Sequence, residues 1–134
     1  MTRYTLLAAF ILLPMFGSAA PAADARGDLV AAKLKAARLV YEAMAKGLRE
    51  GGEQVNADRL HLWSRRWMEA QRDASPKKAD RIAALEAHRD RMKELRKTAE
   101  QRYKAGQSSH ADVLAADFYI AEAELWLTEA NKAK

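Results

Sequence analysis

The chain has no cysteine, and its 134 residues include six glycines, three prolines and 7% aromatic residues. Without cysteine there is no disulfide scaffold, no thiolate metal site, no CxxCH haem attachment and no lipidated N-terminal cysteine. The length excludes a multidomain enzyme, a polytopic transporter and a complete outer-membrane barrel. No Gly-rich phosphate loop occurs, so nothing argues for nucleotide chemistry. Neither sign of charge dominates: 23 Lys+Arg stand against 18 Asp+Glu. With the two signs scattered, this is a weak pattern for nucleic-acid recognition.

What is present is unevenly spread. Residues 1–22 carry Arg3 as their only charge and two of the prolines, Pro14 and Pro21. Arg3 reads as a positive n-region, and Leu6 to Leu13 as an apolar h-region too short to span a bilayer. Ala20-Pro21-Ala22 supplies a small-x-small cleavage pattern. We therefore expect a signal peptide over 1–22, cleaved after Ala22, and a mature chain over 23–134 with no transmembrane segment. That chain is expected to be periplasmic or secreted, away from nucleic acid.

From Asp28 onward Ala, Leu, Glu, Lys and Arg dominate, and Pro76 is the last proline. This composition predicts helix nearly throughout. Val30, Leu34, Ala37, Tyr41, Met44 and Leu48 alternate spacings of four and three, a heptad seam that stops at Gly51-Gly52. Leu60, Trp63, Trp67 and Ala70 repeat the spacing in a second segment ending near Asp73. Ser75-Pro76 offers an N-cap and a first helical position for a third segment, about Lys77 to Ala105. Its clearest apolar members are Leu85, Met92, Leu95 and Ala99, and Gly106 breaks it. A fourth segment starts at Ser108 or Ser109, where Ser109-x-x-Asp112 resembles a capping box, and its seam reads Leu114, Phe118, Ala121 and Leu125.

The expected fold class is all-α: two antiparallel coiled-coil hairpins, about 28–73 and 77–132, forming an elongated up-down bundle of four long helices. The two corners resemble each other at an offset of 54: Gly52, Ala57, Asp58 and Leu60 align with Gly106, Ala111, Asp112 and Leu114. Each glycine suits a left-handed residue ending a helix, and each aspartate suits the positive first turn of the next.

The second corner also carries a longer string. Arg102-Tyr103-x-Ala105-Gly106 is followed by Ser109, Asp112-Val113-Leu114-x-Ala116, Ile120, Glu122-Ala123-Glu124-Leu125, Leu127 and Ala130. Residues 102 to 130 thus resemble a tip motif of the TolC family of outer-membrane efflux proteins. The resemblance implies a helix–turn–helix corner at the periplasmic end of a coiled-coil barrel, where it meets the adaptor protein of a tripartite pump. That family carries two related hairpins per chain, which suits the weaker corner at Gly52. Its members are several times longer and include membrane strands, so the resemblance extends to the coiled-coil part alone.

By that resemblance the partner-binding tips comprise Gly52, Gly106, Ser109, Asp112, Val113 and Leu114. The expected role is a non-enzymatic, exported hairpin protein that binds another envelope protein or itself, in efflux or envelope transport. The alternative is a soluble periplasmic stress protein, either chaperone-like or a metal-responsive bundle.

Other polar residues receive plainer readings. His88 and Met92 lie four apart on one face, which reads as a seam histidine, and no Glu-x-x-His motif marks a di-iron bundle. Ser109, His110 and Asp112 are triad residue types, but close neighbours at a helix start point in different directions. No catalytic residue, metal ligand or cofactor is expected. Trp63 and Trp67, four apart, read as a core stripe, the alternative being a binding surface shared with Trp126, and Arg65-Arg66 and Lys77-Lys78 read as solvated faces.

Overall fold

The computed structural model describes residues 21–52 and 55–133, with side chains from residue 25 onward. The described residues form four helices and no strand: α1 (Pro21–Arg49), α2 (Ala57–Ala74), α3 (Lys78–Lys104) and α4 (His110–Lys132). The all-helical expectation holds. Residues 1–20 of the expected leader lie outside the described residues, and the expected cleavage point after Ala22 falls within the first turn of α1. Among the described residues no helix is long and apolar enough to cross a membrane.

Helix α2 is the hub, packing against α1 and α3 and touching α4, while α3 and α4 pack along each other. Lys33, more than three turns into α1, meets Asp73 at the end of α2 at 2.8 Å. Lys78 at the start of α3 reaches the Ala133 carbonyl beyond the end of α4. One apolar cluster gathers Tyr41, Leu48, Leu60, Met92, Leu95 and Ala116, with Met44, Trp63 and Trp67 packed on it. A second gathers Met68, Ala84, Leu85 and Leu127 beside Trp126. The seams expected on α1, α2 and α3 therefore do face the interior.

The α3 start differs from expectation. Ser75 is the extended C-cap of α2, and the N-cap of α3 is Lys77. The residue before a proline is driven out of the helical region, so Ser75 cannot join either helix. Its hydroxyl nonetheless donates to Asp80 and accepts from the Lys77 N–H.

The seam expected on α4 is the wrong face. Leu114, Phe118 and Leu125 are 57%, 63% and 57% exposed, and Ala121 is exposed as well. The buried residues are Val113, Ala116, Ala123 and Leu127, with Ile120 half-buried between them. Both sets step by three and four, so periodicity alone could not choose between them. Side-chain size does: Ala116 and Ala123 are both fully buried. Small residues let the backbones of α3 and α4 approach closely, which a ring the size of Phe118 prevents.

This assignment is testable. Ala116→Leu should destabilise the chain by about 1–3 kcal/mol through overpacking, whereas Ala121→Leu should leave stability unchanged or raise it. Urea unfolding followed by circular dichroism measures both. Equal losses, or the reverse order, contradict the assignment.

Candidate functional site

The two corners begin with the same backbone device. At the end of α1 the Gly51 N–H donates to Leu48 O at 3.3 Å and the Gly52 N–H to Gly47 O at 2.8 Å. At the end of α3 the Gly106 N–H donates to Tyr103 O at 2.9 Å and the Gln107 N–H to Arg102 O at 2.8 Å. Both are Schellman caps, in which the last free helix carbonyls are satisfied by a chain that turns through a left-handed residue. Those residues are Gly51, with φ of 85°, and Gly106, with φ of 71°.

This corrects the first corner, where Gly52 was the expected left-handed residue. Gly52 is required for a different reason: a Cβ there would lie 2.9 Å from the Gly47 carbonyl oxygen. The offset of 54 also averages two different offsets. The left-handed glycines are 55 apart, and the N-caps of the following helices, Asn56 and Ser109, are 53 apart. The first corner is therefore two residues longer, and Asp58 and Asp112 are not equivalent. Asp112 completes the expected capping box, accepting from the Ser109 N–H at 3.3 Å. Asp58 instead accepts a hydrogen bond from the Tyr119 hydroxyl, and the cap of α2 is Asn56 Oδ1, 3.0 Å from the Arg59 N–H.

Arg102 joins the two corners. Its Nη1 donates to Leu48 O at 2.9 Å and its Nη2 to Gln107 O at 3.4 Å. One guanidinium thus bridges a last-turn carbonyl of α1, where the helix dipole concentrates negative potential, and the Gln107 carbonyl just beyond α3. Both corners lie at one end of the molecule, with a cavity of about 130 Å³ between them. Leu48, Val55, Ala57, Leu95 and Ala99 supply its apolar wall, and Arg102 and Asp112 its polar edge.

The predicted tip residues divide by accessibility. Gly52, Gly106 and Ser109 are exposed, Leu114 is exposed and Asp112 is half-buried. Val113 is 5% exposed, so it supports the corner from inside and offers no contact surface. Tyr103 and His110 add an aromatic pair at the second corner, with ring centroids 5.1 Å apart.

A second polar cluster lies in the middle of the bundle, and sequence reasoning found only His88 of it. Ser64 on α2 and His88 on α3 are both fully buried, with Ser64 Oγ 2.8 Å from His88 Nδ1. Arg91 Nε donates to the same hydroxyl oxygen at 2.7 Å, and Arg91 Nη2 reaches Ser64 O at 3.2 Å. The Ser64 hydroxyl oxygen has two acceptor lone pairs, so the direction of its bond with His88 Nδ1 follows the imidazole tautomer. His88 Nε2 is buried without a hydrogen-bond partner.

Burial, and next the Arg91 charge, push the His88 pKa down to about 3. Burial likewise lowers Arg91, to about 10. Next to this group, His61 stacks on Tyr119 at 3.8 Å, and its Nε2 lies 3.3 Å from Glu122 Oε1. Burial lowers the His61 pKa although Glu122 opposes the shift.

All three tryptophans carry an arginine over the ring. Arg91 lies 4.1 Å from the Trp67 centroid, Arg66 4.6 Å from Trp63 and Arg65 5.4 Å from Trp126. Arg65 and Arg66 are exposed, as expected of a solvated face, and each also lies over a tryptophan ring at the edge of the core. Ser64 and His88 are a nucleophile–base pairing in type. Both are sealed from solvent, however, and the Arg91 guanidinium occupies the hydroxyl oxygen, so the arrangement suits packing register. Among the described residues no group of three His, Cys, Asp or Glu side chains is placed to hold a metal ion.

No protein-family model, curated protein or solved structure matches this chain. The site is accordingly read from its own geometry.

The histidine cluster makes a pH prediction. The folded pKa of His88, about 3, lies below its unfolded value of 6.5. The unfolded chain therefore takes up a proton first as pH falls. His88 imposes no penalty above about pH 6.5, and its contribution declines from there until the pH approaches the folded pKa. The slope is roughly 1 kcal/mol per pH unit. His88→Gln should flatten the stability–pH curve by about one proton between pH 6 and 4, measured by urea titration. An unchanged slope contradicts a buried neutral imidazole.

Proposed function

We propose that the chain is an exported, non-enzymatic binding protein built from two antiparallel coiled-coil hairpins. In this reading it resembles the periplasmic coiled-coil part of TolC-type efflux outer-membrane factors. Its working surface is the end at which the two corners converge, and its partner is another envelope protein with helical hairpins. The observation that carries the reading is Arg102, which ties the Gly51-Gly52 corner to the Gly106 corner. Two tips presented together form a continuous surface that neither tip offers alone.

Several features support this assignment. The end exposes backbone at Gly51, Gly52 and Gly106, together with Ser109, His110 and the 46% exposed ring of Tyr103. Exposed loop residues held by a rigid scaffold are where recognition concentrates. Ser64 and His88 in the interior, by contrast, bond to each other and are closed to solvent. Export is the part of the reading that rests on residues 1–22.

A photo-crosslinking residue placed at position 107 in the producing cell should yield a discrete protein adduct. The adduct should disappear when Gly106→Val is added, because a β-branched residue resists the left-handed conformation, at about 1–2 kcal/mol. The same probe at Glu86, in the exposed middle of α3, should yield none. Equal adducts from positions 107 and 86, or an adduct indifferent to Gly106→Val, contradict the proposal.

A further inference from the structure

Each outer helix carries a second apolar stripe that faces solvent. On α4 it is Ala111, Leu114, Phe118, Ala121 and Leu125, and on α1 it is Leu29, Ala32, Ala36, Leu39 and Ala43. All ten residues are exposed, and both stripes step three, four, three, four. Five of the seven large apolar side chains most exposed among the described residues lie on them: Leu29, Leu39, Leu114, Phe118 and Leu125. Scattered surface leucines need no explanation, but heptad stripes are the signature of a helix meeting another helix. The interior does not use these stripes, because α1 packs chiefly on α2, and α4 packs on α3 and α2 through its opposite face.

We propose that α4 of one copy docks along α1 of a second copy. The proposal rests on the binding-protein reading above and specifies the partner as the chain itself.

Charge selects this pairing over the alternatives. The α4 stripe is bordered by Asp117 and Glu124 on one side and by Glu122 and Glu129 on the other, and α4 has only Lys132 in opposition. Two α4 stripes face to face would bring carboxylates together, which is unfavourable at flanking heptad positions. Helix α1 has six cations against Asp24, Asp28 and Glu42, with Lys33, Lys35 and Lys46 beside the stripe. Some of these charges already have partners: Lys33 pairs with Asp73, Lys46 with Glu50, Asp117 with Arg96 and Glu124 with Lys93. Exposed pairs of this kind contribute little and re-form readily with a new neighbour. The stripes also match in length, each spanning about 20 Å of helix.

If the two pairings form reciprocally across a two-fold axis, the assembly closes as a dimer; if they do not, every added copy still offers one free stripe of each kind and the assembly closes into a ring or grows as a chain.

Sedimentation velocity on the purified chain over a range of protein and salt concentrations tests this. The expected result is a salt-sensitive assembly of two or more copies. Phe118→Asp and Leu39→Asp, both at exposed positions, should each weaken it at least tenfold while the helical circular dichroism is retained. Should either variant lose helix, Leu125→Asp and Leu29→Asp probe the same stripes.

An equimolar mixture of one α1 variant and one α4 variant should form a one-to-one dimer, since each retains the stripe that the other lacks. A wild-type monomer at every concentration overturns the proposal. So does a pair of variants that do not complement. Gly106→Val should leave the assembly intact while abolishing the corner adduct, so failure of the corner reading and failure of this one are distinguishable.

Discussion

The structure depends on how two helices rich in charge are joined. Helices α2 and α3 form the boundary between the two halves of the chain, and at its centre sits a polar group, not a leucine. Ser64, His88 and Arg91 satisfy one another there, with the Arg91 guanidinium lying across Trp67. A buried polar network of this kind contributes little net stability against an apolar replacement. What it does supply is position, because a slip of α2 along α3 leaves a hydroxyl, an imidazole and a guanidinium unpaired in a low-dielectric interior. The unpartnered His88 Nε2 shows that the network is incomplete even in place. The price of that incompleteness is carried by the apolar residues above and below it, notably Met68 and Met92.

That register sets the distance between the corners. Arg102 leaves α3 close to its end and meets carbonyls from both Schellman caps. It reaches Leu48 O only if α1 and α3 end at the same level, which α2 determines by packing on both. The central network and the corner bridge are thus two parts of one device. The first aligns the helices, and the second converts that alignment into a shared end. Turning both caps through glycine keeps side chains away from the bend and leaves the backbone facing outward.

Much of this was legible in the sequence. The seams of α2 and α3 emerged from spacing, and on α1 the inward stripe, with Tyr41, Met44 and Leu48, outweighs its alanine-rich outward one. Helix α4 has two stripes of comparable weight, and pattern could not say which one faces inward. The deciding quantity was the small volume of Ala116 and Ala123, which matters only once a partner helix is placed against them. The second cap was found at Gly106, but at the first the choice between Gly51 and Gly52 depends on hydrogen bonds that sequence does not display. Ser64 escaped notice since a serine among arginines reads as surface. Its position four residues after Leu60 and four before Met68, on the buried face, was the available signal. Arg102 stood in the second-corner string, yet its partner Leu48 O comes from the other corner, 54 residues away in the chain.

The outward stripes and the shared end place different demands on the molecule. Side-by-side association leaves the corner end free, so an assembly would present many corners in one plane, a multivalent surface. All of this requires the two corners to lie together in solution. Since the chain has no cysteine, labels can be introduced at chosen sites without background. Spin labels at Gly51→Cys and Gln107→Cys, with the distance read by pulsed electron–electron resonance in a sample diluted with unlabelled chain, measure the separation directly. Gly51→Cys perturbs its cap, so Glu50→Cys with Gln107→Cys serves as the second pair. The account predicts one short, narrow distribution for both pairs. A broad distribution, or a separation near the length of a helix, about 40 Å, would contradict it.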